Sequence, residues 1–564
     1  MLPSWIPGSY LLREFARHVV AIEAEADGRP VSLEQTAKGT WTAAGAEGPL
    51  RVRATIYAFD LSVRGAWLDR YRAFFNGPAL FLVPEGREHG PVELVLEPPE
   101  DPAMSGWRVA TAMRAVSVDQ RGFGRYAAAD YDELIDHPFE IGMHASAAFE
   151  AAGVPHRLVV AGRIDTDLER VAVDLAQLAT AQIDFFGRPP PFEHYVFLGL
   201  AVGEGYGGLE HRASSSLIFR RGDLPKPGDP GVSREYQRFL GLASHEYFHS
   251  WHVKQTKPAA FVPYRLDRRN HTRLLWVFEG ITSYYQERFL LTSGLLGADA
   301  FLRRIAELLT RVYRVPGRKR QSLAASSFNA WDQLYKPEPN SANAGVSYYS
   351  KGALVALALD LKLRLETGTT LDAVVQALWQ RYGKAGTGVP EDGFDALAAE
   401  LAGEGIRAFL AAAVEGTDDP DLPGLLGAFG LRLGFRQAEG PQDRGGTPPK
   451  AAAVRLALGA ACEAHGAGLR LTIVFDGEPA QAAGLAPGDI IVALDRLQVT
   501  SDTIGERLAR YEAGDEISVS FFRGDELNAT SLRIAPAPAD TCFIEIDAAA
   551  PPEAVARRRA WLGD

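Results

Sequence analysis

Cysteine is scarce in this chain: two residues, Cys462 and Cys542, among 564. That is too few for a disulfide framework or a cysteine-ligated zinc site, and it fits a reducing compartment. Long apolar runs are lacking as well. No stretch reaches the roughly 18 residues needed to cross a bilayer, so no membrane span is expected. No charged segment followed by an apolar one opens the chain, so no signal peptide is read there. These absences point to a cytoplasmic protein. Positive charge is in deficit, with a net charge of −12, which argues against a nucleic-acid partner. The local basic stretches Arg265–Arg273 and Arg314–Ser322 read as solvated loops.

What is present is enough chain for several cores. Residues 1 to about 150 read as β-rich: short alternating runs such as "RVRATIYAF" and "PVELVLEP" sit between Gly and Pro punctuation. From Arg157 to Val202 a strand, a helix and a strand follow in order, and "GEGYGGLEHRASSSLIFRR" turns through glycines into another strand. From Ser233 to about Leu426 the apolar spacing becomes helical. A Gly/Pro-rich stretch over 437–451 reads as a linker. Strands and short helices then return, and a basic helix, "PEAVARRRAWLGD", closes the chain.

Chemistry concentrates in "SHEYFHSWH", Ser244 to His252. His245 and His249 are four apart, so a helix puts both imidazoles on one face within reach of one zinc ion. Glu246 stands beside them, suited to take a proton from water at that metal. A catalytic zinc needs a third protein ligand. His252 roughly shares the face but lies nearly two turns from His245, and a straight helix does not easily wrap three ligands round one ion. A later histidine after a glycine turn is not supplied by "HSWHVKQTK". Glu279, in "LLWVFEGITSYY" on the next predicted helix, is the better choice.

Two more pieces belong nearby. In "YGGLEH", Gly207 and Gly208 allow a peptide backbone to approach closely, and Glu210 follows as a carboxylate able to hold a substrate α-ammonium. Read alone, that glutamate also fits an exposed bulge residue. In "VSYYSKGALVALAL", Tyr349 stands at a helix start, where a phenol can donate to an oxyanion. Read alone, it also fits a packing residue.

Taken as an ordered set, these segments resemble the glycyl aminopeptidase family, gluzincin zinc metallopeptidases with an appended PDZ domain. The resemblance runs from "WIPGSYLLREFARHV" through "YDELIDHPFEIG", "YGGLEHRAS", "HEYFHSWHVKQTKP", "LLWVFEGITSYY" and "SYYSKGALVALALDL" to "ARRRAWLG". It implies a multidomain α+β chain. An N-terminal β-sandwich is expected over 1–150 and a mostly helical thermolysin-like domain over 151–436. A PDZ domain over 452–540 and a tail with a helix over 541–564 follow.

It also implies one zinc ion per chain and peptide substrates with a free N-terminus, Gly or Ala preferred there. His245, His249 and Glu279 match the ligands, Glu246 the general base, Glu210 the amino-terminus anchor and Tyr349 the oxyanion donor. A zinc endopeptidase, or a PDZ-centred peptide-binding protein with weak peptidase activity, are the alternatives. Within "GEPAQAAGLAPGDIIVALDRLQV" and its approach, Leu458, Gly459 and Ala460 best match the loop that takes a peptide C-terminus; "GLRLGF" at Gly430–Phe435 is the rival. Two departures stand out. The family pattern has Asn at position 252, where this chain has His. It also places several strands ahead of "WxPGSY", so the N-terminal domain is expected to lack its first strands, and a signal peptide could precede them.

Overall fold

The computed structural model describes residues 1–46, 48–450, 454–466 and 468–563. They fall into two compact units. The first comprises Met1–Thr272, Tyr285–Leu296 and Asp372–Phe394; the second comprises Arg273–Tyr284, Gly297–Leu371 and Asp395–Asp564.

The first unit opens β-rich, as its alternating runs require. Its antiparallel sheets include one of four strands, Ala66–Leu68, Arg72–Phe75, Phe139–Gly142 and Arg108–Ala110. Its core is aromatic: Phe75 stacks on Phe139 at 4.9 Å, and Tyr126 meets Phe139 edge-on at 5.5 Å. The "RVRATI" run does form a strand, Leu50–Ile56, but neither face is buried. It pairs antiparallel with Val19–Ala26, and exposed cross-strand ion pairs line the ladder, Arg51 to Glu25 at 2.9 Å and Arg53 to Glu23 at 2.7 Å.

An α/β layer follows. Strands β1 (Ala145–Ala151) and β2 (Val154–Ala161) precede helix α1 (Leu168–Phe186). Asp167 starts that helix by accepting from the Arg170 amide. Strands β3 (Tyr195–Val202), β4 (Gly207–Glu210) and β5 (Ser214–Arg220) complete a sheet of order β1-β2-β3-β5-β4. β3 runs parallel to β2 and β5, and is buried nearly throughout, as a strand covered on both faces must be. β4 ends the sheet, antiparallel to β5. Helix α2 (Arg234–Phe248) begins at Ser233, whose side chain accepts from the Tyr236 amide. Its residues from Phe239 onward are all buried, so its polar side chains there need partners inside the protein.

The second unit is mainly helical. The predicted helix around Glu279 begins with a π turn, Trp276–Gly280, and continues as α3 (Ile281–Thr292), whose later residues belong to the first unit. Helix α4 (Ala298–Tyr313) buries one stripe, and α5 (Tyr348–Glu366) is buried nearly all round. The Gly280 and Gly352 backbones touch: a Cβ on Gly280 would sit 2.5 Å from the Gly352 Cα.

Strand β6 (Leu431–Arg436) follows the helices. Next come the PDZ-like strands β7 (Ala460–His465), β8 (Gly468–Val474), β9 (Ile490–Leu494), β10 (Glu516–Arg523) and β11 (Glu526–Arg533), in that order across one sheet. The rival "GLRLGF" segment is no ligand loop. It is β6, paired antiparallel with β12 (Thr541–Ile546), so the two ends of the PDZ-like insertion form one ribbon.

The stretch expected to be a linker is folded around Asp443. Its carboxylate takes Arg436 at 2.5 and 3.1 Å and the amides of Glu439 and Gly445. Residues 451–453, where the linker was expected to end and the PDZ domain to begin, lie outside the described residues. Asn343 ties the PDZ-like sheet down, donating to the Val474 carbonyl at 2.9 Å and accepting from the Asp476 amide at 3.1 Å. The closing helix α6 (Pro552–Leu562) is anchored by buried Trp561, whose indole donates to Asp360 at 3.2 Å. No described helix is long and apolar enough to cross a membrane.

Candidate metal centre

The two histidines stand at the end of α2, His245 in its last turn and His249 at its C-cap. Their ring centroids are 4.6 Å apart. Each ring is oriented through Nδ1. His249 Nδ1 lies 2.7 Å from the His252 carbonyl, which can only accept, so that nitrogen carries the proton. His245 Nδ1 lies 3.1 Å from Gln286 Oε1 on α3. The Gln286 amide cannot be turned the other way at no cost, because its Nε2 donates to Glu287 at 2.8 Å. In both rings the lone pair therefore sits on Nε2. Two imidazoles fixed in that tautomer by a carbonyl and an amide oxygen are the donor set that a zinc ion takes.

The His252 backbone carbonyl thus orients the His249 ring. The imidazole of His252 is buried, 5.5 Å from the Phe248 ring.

Strand β4 brings a second set of groups to α2. Glu210, Glu246 and His249 are all buried, and one ligand atom from each lies within 4.8 Å of the others. The two glycines of "YGGLEH" differ in what they do. A Cβ on Gly208 would overlap the Glu246 carboxylate, so the absent side chain is what lets Glu246 lie against β4. Around Gly207 the nearest atoms, from Arg64 and Ile218, would be 3.7 Å from an added Cβ. Arg64 also donates to the Gly208 carbonyl at 3.2 Å.

Beneath Glu210 lies a cluster that sequence reading missed. Asp136, from "YDELIDHPFEIG", is buried and pairs with Lys254 at 2.5 Å. It also accepts from the Arg212 amide at 3.0 Å and meets His211 Nδ1 at 3.3 Å. Burial alone would raise the Asp136 carboxyl, but the Lys254 charge, the His211 hydrogen bond and Arg212 hold it well below its ordinary range. One carboxylate thus joins three sequence segments: the one before the sheet, the one holding Glu210 and the one after α2. No spacing rule reveals such a link, because its members are far apart in the chain.

In the second unit, Glu279 is buried on the π turn that opens the α3 helix. Such turns insert an extra residue and re-aim the side chains they carry. Tyr349 lies in the first turn of α5, half-buried, with its ring 4.6 Å from that of Tyr348. Its hydroxyl is 2.7 Å from that of Tyr335, which in turn is 2.8 Å from that of Tyr348. Tyr335 was not singled out in the sequence; only the fold brings it to this cluster.

In the PDZ-like sheet, Leu458, Gly459 and Ala460 lead into β7, which ends the sheet. Leu458 is buried in that sheet's core, and its carbonyl accepts from Ala480 at 2.8 Å. Gly459 has φ +76°, and an added Cβ would strike Glu478.

Comparison with known proteins agrees with this architecture. Residues 1–143 match the peptidase M61 N-terminal domain, residues 238–355 the M61 glycyl aminopeptidase and residues 457–534 the PDZ domain. The chain is similar to the crystal structure of an aminopeptidase N family protein from Idiomarina loihiensis, with 38% identity and a TM-score of 0.95, covering 100% of this chain and 94% of that one. The M1 zinc metallopeptidase of Deinococcus radiodurans matches at 15% identity and a TM-score of 0.46, over 72% of this chain and 87% of that one. No curated protein matches the sequence. With three successive domains matched in order and a relative at 38% identity aligned over the whole length, the chain belongs to the M61 glycyl aminopeptidase family of zinc metallopeptidases.

Proposed function

We propose that the protein is an aminopeptidase that removes one small residue, Gly or Ala, from the N-terminus of peptides, with a single zinc ion held by His245, His249 and Glu279. The observation that carries this reading is the fixed tautomer of both histidines. The chemistry of the third residue supports it: Glu279 is a buried carboxylate, and beside the histidine pair Glu210, Glu246 and His249 form a buried set of potential ligands that shares His249. Two imidazoles and one carboxylate suit a catalytic zinc, which supplies a Lewis acid that polarises the scissile carbonyl and acidifies water.

The chain's own residues do the rest. Glu246, held against β4 by Gly208, takes the proton from the attacking water and returns it to the leaving amine. Glu210 binds the substrate α-ammonium by a charge-assisted hydrogen bond, which fixes cleavage one residue from the N-terminus. Tyr349 donates its phenolic hydrogen bond to the oxygen of the tetrahedral intermediate. β7, led by Leu458–Ala460, receives the C-terminus of an extended peptide by strand addition.

Glu246→Gln tests the assignment of the base. The variant is expected to bind one equivalent of zinc by elemental analysis and to lose kcat at least 100-fold. Near-normal turnover by the zinc-loaded variant would remove Glu246 from the mechanism.

A further inference from the structure

Glu210 occupies an unusual setting for a carboxylate. It is 3% exposed at the end of β4, and its Oε1 has no hydrogen-bond partner among the described residues. What lies against it is the backbone of Gly8, in the "WIPGSY" segment. Gly8 has φ +92°, and a Cβ there would come within 2.6 Å of the carboxyl carbon and both carboxylate oxygens of Glu210.

Neither side of this contact can retreat as a whole. The Gly8 turn is closed by the Ser9 amide donating to Ile6 at 3.0 Å. Trp5 is fully buried and donates to the Arg265 carbonyl at 2.8 Å. Arg13 holds the Ser9 hydroxyl at 2.8 Å, and Tyr10 stacks on Phe261 at 5.8 Å. On the other side, Leu209 is fully buried and Glu210 pairs with Ser215 across the sheet. The movable part is the end of the Glu210 side chain.

We propose that Gly8 is the positioning residue for the amino-terminus anchor. Its missing side chain lets the Glu210 carboxylate lie flat on a rigid turn, within the group it forms with Glu246 and His249. The turn thereby sets how far the substrate ammonium stands from the reacting carbonyl, the kind of fixed geometry on which rate depends. This rests on Glu210 being the anchor. A methyl group at position 8 displaces the carboxylate, in addition to the backbone strain that any side chain meets at φ +92°.

Two small ligands separate the ammonium contact from metal binding. Glycine hydroxamate carries an α-ammonium and a metal-binding hydroxamate; acetohydroxamate carries only the latter. Their dissociation constants are measured by calorimetry on the zinc-loaded full chain. The native protein is expected to prefer glycine hydroxamate, and Gly8→Ala to reduce that preference about tenfold or more while leaving acetohydroxamate unchanged. In a Glu210→Gln background the preference is already gone, and Gly8→Ala adds nothing. In a Glu210→Asp background, one methylene shorter, Gly8→Ala costs less than threefold.

Retention of the full preference by Gly8→Ala, or equal loss for both ligands, overturns the proposal. Retention of the preference by Glu210→Gln instead overturns the anchor assignment on which it rests. If Gly8→Ala alone does not fold, the Gly8→Ala/Glu210→Asp pair decides. Folding with the Glu210→Asp preference supports the proposal, and failure to fold there too shows that Gly8 serves the turn and not the carboxylate.

Discussion

At the scale of single residues, the centre depends on groups that orient other groups. Gln286 and the His252 carbonyl choose which imidazole nitrogens carry protons. Partners of this kind typically change metal affinity by about 10–100-fold when removed. Gln286→Leu should therefore weaken zinc binding by about that range, read by competition with a chromogenic chelator, with the helix content intact. An unchanged zinc affinity would mean that His245 is held by packing alone. A change at His252 that keeps the backbone path, such as His252→Asn, should by contrast leave zinc affinity close to native, because the carbonyl does the orienting.

At the scale of elements, much was legible. The three-to-four spacing of α2 and the π-opened α3 helix, the histidine pair and the Gly-rich edge strand all follow local rules. The "AxxAGL" and "GDII" segments do as well. What was not legible depends on partners distant in sequence. The Asp136 cluster joins Lys254 and His211 across the first unit, and Gly8 meets Glu210 from the other end of it. The stretch around Asp443 looks like a linker by composition, yet Arg436 and two amides fold it. Gly280 and Gly352 show a third kind of hidden fact, since each alone reads as a flaw in a helix. Together they let the helix carrying Glu279 and the helix carrying Tyr349 touch at the backbone. Gly352→Ala should destabilise the protein by about 1–3 kcal/mol through overpacking and lower activity, read by denaturant unfolding and by turnover. Gly405→Ala, in a helix with open space around it, is the control. It should be neutral or stabilising by up to about 1 kcal/mol. Equal behaviour of the two variants would contradict the close-contact account.

At the scale of the whole molecule, the first unit is built around histidines held neutral. Burial pushes His137, His144 and His156 each down to about 4. His156 shows how: Nδ1 donates to the Val154 carbonyl, and Nε2 takes the Tyr247 hydroxyl at 2.9 Å. In the unfolded chain each titrates near its ordinary value of about 6.5. Between these two values the unfolded state binds more protons, so stability is full above about pH 6.5 and falls as pH drops toward 4. Urea unfolding from pH 7 to pH 4.5 should show this loss, with His156→Gln reducing its steepness. A stability that is flat across that range would mean these rings are solvated.

The central claim, a zinc aminopeptidase anchored on a free N-terminus, is tested most directly by one comparison. Hydrolysis of an alanyl peptide is measured beside that of its N-acetylated counterpart, before and after chelation and after zinc is restored. The account predicts rapid release of alanine from the free peptide, loss with the chelator, recovery with zinc, and little cleavage of the blocked peptide. Equal cleavage of both peptides, or cleavage that the chelator does not touch, would contradict it.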